Sequence, residues 1–241
     1  MDFETKPQIM RPIGIVCFAF ALSGVSVSAL DVQAYRAAFA YNCLEAELYI
    51  EEIQPLLGAA LEDPMLTSVG IAVIFPELTR YSYIRDVAET KLLELSYILG
   101  GNTDFSIGLL QMKPSFAKMI EDDSDDYCKQ RFPSLFQTGA DEQKTRGLRI
   151  LRLKSLQRQV EYLAVFLRLM TKTFPQFSGE PETMVRIFSA AYNAGYKLSL
   201  QDLEVHAESY YFPYGKYGKS GTREQYSYTE IALDYYTRTK L

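Results

Sequence analysis

Few side chains in this chain pair chemical competence with a protected setting, and Glu77 is the clearest of them. It closes an apolar stretch and is flanked by Phe75, Pro76 and Leu78, so desolvation would hold its proton and make it a general acid. Glu94, in Glu94-Leu95-Ser96-Tyr97, is the rival, but it shares its segment with Asp86, Glu89 and Lys91, where a solvated carboxylate is the default. Two later stretches carry groups suited to holding a polar ligand. Gly108, with no Cβ, lets the backbone approach closely whatever lies opposite. Gln111 and Asn193 each offer an amide donor and a carbonyl acceptor, which suits the donors and acceptors of a polar ligand, and Tyr192 adds an aromatic face with a polar tip. Each has a plainer reading too: Gln111 as a cap or loop contact, Tyr192 as core, Asn193-Ala194-Gly195 as a helix end. His206 is the only histidine, in the polar stretch Glu204 to Ser209, and reads as solvated. With no cysteine–histidine cluster, an imidazole-built metal site is excluded, as is a histidine-dependent triad unless His206 serves.

The order of these segments is informative. Ser106-Ile107-Gly108-Leu109-Leu110-Gln111-Met112-Lys113-Pro114-Ser115-Phe116-Ala117 resembles the Gly-Leu-Met-Gln signature of lytic transglycosylases, including its preceding serine and its following proline and alanine. Ala191-Tyr192-Asn193-Ala194-Gly195 is similar to that family's Ala-Tyr-Asn-Ala-Gly motif at every position, and Glu77 stands where the family has its catalytic glutamate, at the end of a buried helix. The resemblance spans about half the chain. It implies an all-α, lysozyme-like domain that cuts the glycan strands of peptidoglycan between N-acetylmuramic acid and N-acetylglucosamine. Glu77 would protonate the glycosidic oxygen and then accept a proton from the sugar's own 6-hydroxyl as a 1,6-anhydro ring closes. The 2-acetamido group would help hold the developing cation. No second carboxylate and no metal or cofactor is implied, in contrast to the usual two-carboxylate scheme. The substrate-binding set implied is Ser106, Gly108, Gln111, Tyr192, Asn193 and a C-terminal tyrosine, Tyr228, with Tyr226 as its alternative. The chain departs from the family at Leu78, where a serine is usual, and in a longer gap between Glu77 and Gly108. Two other functions suit the same residues: a goose-type lysozyme-like hydrolase, in which water replaces the 6-hydroxyl, and a non-catalytic glycan-binding or cell-wall assembly protein.

The elements that would position these residues read as helices throughout. Asp31 can cap a helix running through Tyr35, Phe39, Leu44 and Leu48, where apolar residues recur every three or four positions. Asp63-Pro64 is a stronger start, a cap followed by proline at the first helical position. Met65 to Phe75 is apolar almost all round, which predicts a helix buried in the core, and Pro76 should bend or end it. A helix over Asp86–Leu99 should stop at Gly100-Gly101, and Lys113-Pro114 should start a short one. The acidic stretch Glu121–Asp126 reads as a solvated loop, Arg146–Thr173 as one long amphipathic helix, and Glu182–Ala194 as another closing on Gly195. A Tyr/Gly/Lys-rich loop, Tyr210–Gly221, leads to a last helix through Ile231, and no strand pattern is visible.

Composition excludes more than it assigns. The net charge of −5 argues against a nucleic-acid partner, which calls for a basic footprint, and no polybasic patch suits an anionic membrane. Lys6 and Arg11, the apolar run Ile13–Leu22 and the small-residue ending Val27-Ser28-Ala29 predict a signal peptide over 1–29, export to the periplasm or cell envelope, and a domain over 30–241. An uncleaved anchor is the alternative. In an oxidising compartment Cys43 and Cys128 could pair; a buried thiol on a helix is the equal alternative for Cys43.

Overall fold

A computed structural model describes residues 32–81, 87–101, 103–212 and 225–239; the expected signal segment 1–29 and the cap Asp31 lie outside the described residues. Those residues are mainly α-helical, as expected. Eleven α-helices are described: α1 (Val32–Ala38), α2 (Ala40–Leu61), α3 (Pro64–Tyr81), α4 (Val87–Ile98), α5 (Pro114–Asp123), α6 (Asp126–Arg131), α7 (Glu142–Leu153), α8 (Leu156–Thr173), α9 (Pro181–Ala194), α10 (Leu200–Ala207) and α11 (Tyr228–Thr239). Short 3-10 turns at Pro133–Phe136 and Pro175–Phe177 complete the helical set. No described helix is long and apolar enough to cross a membrane.

The core is built around α3, which packs against α2, α8, α9 and α11. Asp63 Oδ1 accepts the Leu66 N–H at 2.9 Å and Pro64 takes the first turn, so this helix starts where its sequence says. From Val69 to Thr79 every residue is buried, which follows from the lack of a polar face. Of the two outcomes expected at Pro76, the helix does not end there; α3 runs on to Tyr81. Proline removes the donor that would serve the Ala72 carbonyl, and the Tyr228 hydroxyl from α11 donates to the neighbouring Val73 carbonyl at 2.9 Å, tying the two helices together at this turn. Because α3 continues past Phe75, Glu77 lies on its buried C-terminal turns.

The structure also departs from the sequence reading in several places. The segment Arg146–Thr173 is two helices, because Ser155 adopts an extended backbone (φ −94°, ψ 121°) between α7 and α8; a serine is a preferred residue for such a start. The acidic stretch Glu121–Asp126 is solvated at its aspartates but is mostly not a loop: α5 runs to Asp123, Glu121 in its last turn meets Arg149 and Arg152, and Asp125 Oδ1 caps α6 by accepting the Cys128 N–H at 3.1 Å. A small antiparallel pair exists, β1 (Tyr210–Phe212) with β2 (Tyr226–Ser227), too short to leave an alternating pattern. Leu44 and Leu48 lie exposed, while Cys43, Ile50, Ile53 and Leu57 form the buried face of α2. Cys43 and Cys128 are separate buried thiols, so the disulfide is not formed.

Candidate active site

A cleft of about 400 Å³ opens beside the C-terminal end of α3. Its wall includes Glu77, Ser106, Gln111, Tyr192 and Asn193, drawn from three segments far apart in sequence. Glu77 is 5 % exposed, and its Oε2 is buried with no hydrogen-bond partner. Arg80, one turn on, brings a guanidinium nitrogen to 3.6 Å from that oxygen, an ion-pair distance beyond hydrogen bonding. Burial pushes the Glu77 carboxyl above its ordinary value; the positive charges of Arg80 and Lys113 pull the other way and do not cancel it. The result is a carboxyl that keeps its proton to higher pH than a solvated glutamate and faces open space.

The second segment forms a tight turn. Ile107 and Met112 bridge each other through both backbone pairs, at 2.9 and 3.2 Å, and the turn needs left-handed backbone at Gly108 (φ 69°) and Gln111 (φ 50°). A Cβ on Gly108 would lie 2.3 Å from Gln159 Nε2 and 2.7 Å from the Leu153 carbonyl oxygen, so only glycine fits. Gly108 therefore shapes the turn without lining the cleft. Gln111 tolerates a conformation that costs a non-glycine residue about 1 kcal/mol. Its Nε2 donates to the Gly108 carbonyl at 2.8 Å, so part of its hydrogen-bonding capacity closes the turn. Gln159, buried on α8, locks the turn from behind: Nε2 donates to the Ile107 carbonyl at 2.6 Å and Oε1 accepts the Leu110 N–H at 3.1 Å. Sequence reading missed Gln159, since a glutamine in an amphipathic helix carries no signal that it will be buried.

The third segment docks on the second. Tyr192 is buried, its hydroxyl donates to the Leu110 carbonyl at 2.8 Å, and its ring meets Phe116 and Phe166 edge-on at 5.3 and 5.5 Å. It is core and cleft wall together. Asn193 and Ala194 end α9, and Gly195 (φ 116°) turns the chain away, so the helix-end reading also holds while Asn193 still faces the cleft. His206 is not merely solvated. Its Nε2 lies 3.0 Å from Asn193 Oδ1, and the Tyr211 hydroxyl sits against the same ring. His206 and Tyr211 both line the cleft.

Tyr228 lies behind the cleft wall, on Val73, and Glu77's charge adds to the burial that pushes the Tyr228 and Tyr192 phenols well above their ordinary value. Tyr226 packs instead on Tyr35, ring centroids 5.0 Å apart, on the α1 side. Glu94 is outside the cleft wall and is not a solvated carboxylate either; Lys154 Nζ donates to its Oε2 at 2.6 Å. Among the described residues no cluster of histidine, cysteine, aspartate and glutamate could hold a metal ion. Comparison with protein-family models, curated proteins and solved structures finds no match to this chain.

Proposed function

We propose that this protein is a peptidoglycan lytic transglycosylase of lysozyme-like fold, with Glu77 as both acid and base. The observation that carries the reading is the meeting of Glu77, Ser106, Gln111, Tyr192 and Asn193 on one cleft, with the glutamate desolvated there. In the proposed reaction Glu77 gives its proton to the oxygen between N-acetylmuramic acid and N-acetylglucosamine, and the C1–O bond breaks. The 6-hydroxyl oxygen then bonds to C1, and its proton passes to the Glu77 carboxylate, which restores the acid. Gln111 and Asn193 supply amide groups of the type that orient acetamido and hydroxyl substituents.

A desolvated, cleft-facing glutamate suits this role because its proton must be held near neutral pH and released to a poor leaving group. Substrate of this kind lies outside the cytoplasm, which accords with the expected export signal. One observation favours the hydrolytic alternative: Asp104, a second carboxylate, also lines the cleft, though it is exposed and 3.8 Å from Lys113 Nζ. Digestion of purified sacculi separates the readings. A product lighter by one water supports transglycosylation, a fully hydrated reducing end supports the hydrolase, and binding without release supports the non-catalytic protein.

A further inference from the structure

Among the described residues, the charged side chains on the cleft wall are Glu77, Arg80, Asp104 and Lys113. Once Glu77 holds its proton, two cations there face a single ionised carboxylate, in a chain whose net charge is −5. Neither cation is saturated by what surrounds it. Among the described residues Arg80 has only the 3.6 Å contact to Glu77 as an ion pair, and its buried Nε has no hydrogen-bond partner there. Lys113 reaches Asp104 at 3.8 Å, and Asp104 also accepts the Ser115 N–H at 3.4 Å. A partly desolvated guanidinium with spare donors is a strong receptor for a carboxylate, and a mobile ammonium beside it adds attraction without demanding one geometry.

We infer that Arg80 and Lys113 form a subsite for a carboxylate carried by the glycan substrate, next to the scissile bond. The inference rests on the proposed glycan-cutting function and adds a charge requirement to it. The carboxylate has two possible sources in such a polymer, the lactyl group of peptide-free muramic acid and the stem peptide. An anion seated there would also draw Arg80 and Lys113 away from Glu77, removing the positive charges that oppose retention of its proton. Substrate binding would then strengthen the very protonation state that cleavage needs.

Binding is measured by calorimetry in the full chain carrying Glu77→Gln, which prevents cutting. The probes are neutral chitotetraose, a peptide-free GlcNAc–MurNAc tetrasaccharide, and the same tetrasaccharide with stem peptides. Arg80→Gln and Lys113→Gln should each raise Kd for a carboxylate-bearing probe by about tenfold while shifting chitotetraose by less than about twofold. An Arg80→Lys variant should recover part of the loss, and the probe that responds identifies the carboxylate. Equal weakening of all three probes would overturn the inference, since the pair would then be shaping the cleft, and so would unchanged binding of all three. If no probe binds the Glu77→Gln protein, the glycan reading itself fails and the subsite falls with it. Lys113 is half-exposed, so its variant reports on binding even if Arg80→Gln misfolds.

Discussion

Glu77 is held in two opposing environments at once, and the balance has a measurable sign. Its folded proton affinity is raised from an ordinary 4.5, so the native chain binds more protons than the unfolded one as pH rises through that value. Stability from this group is therefore fully present below about pH 4.5 and is lost as pH climbs through the folded value. Glu77→Gln removes the penalty. Its urea midpoint should exceed wild type near pH 7.5 and converge with it near pH 4; a midpoint below wild type near pH 7.5 that converges near pH 4 would show that the Arg80 ion pair outweighs desolvation. Asn193 makes a second case. The His206 ring lies 3.0 Å from the Asn193 amide oxygen and so fixes this amide at the cleft wall. His206→Ala should raise KM on glycan roughly three- to tenfold with kcat nearly unchanged, the worth of one positioned hydrogen bond. An unchanged KM would remove His206 from the site.

Elements position the site through buried polar joints more than through helix contacts alone. The turn holding Gln111 depends on Gly108, where a side chain would strike Gln159 and the Leu153 carbonyl. Gly108→Ala should cost roughly 1–3 kcal/mol in denaturant unfolding and depress activity along with it; wild-type stability would mean that the turn relaxes freely. Farther from the cleft, Glu121 on α5 accepts from Arg149 and Arg152 of α7, at 2.6 and 2.8 Å, and from Tyr162 of α8 at 2.5 Å. Both arginines are buried, so Glu121→Ala leaves two cations without their carboxylate and should cost about 3–5 kcal/mol. Little of this was visible in the sequence. The acidic stretch around Glu121 looks solvated because its partners come from more than one later helix. The break at Ser155 hides because the apolar period runs on through it. Asp63-Pro64, by contrast, is a local cap with a local cause, and α3 begins there as read.

At the scale of the whole molecule, the helical class and five cleft residues were legible because they rest on short-range patterns: an apolar run, ordered motifs, a glycine at a helix end. Arg80, His206 and Tyr211 were not, since nothing near them in sequence says which cavity they will face; only the packing of α3, α9, α10 and β1 brings them together. Pro76 shows the same limit in reverse, a local breaker inside a helix that its buried packing carries on to Tyr81. The arrangement makes one carboxyl chemically distinct from the rest: Glu77 is buried at the cleft, whereas Glu94 is ion-paired to Lys154 outside it. Release of soluble muropeptides from purified sacculi by wild type, Glu77→Gln and Glu94→Gln tests that distinction directly. Glu77→Gln should lose roughly 10² to 10⁴ in rate, or more if the group also acts as base, while staying folded and still binding sacculi. Glu94→Gln should cut at nearly the wild-type rate. An inactive Glu94→Gln beside an active Glu77→Gln would contradict the assignment of Glu77 as the acid, as would wild-type rates in both.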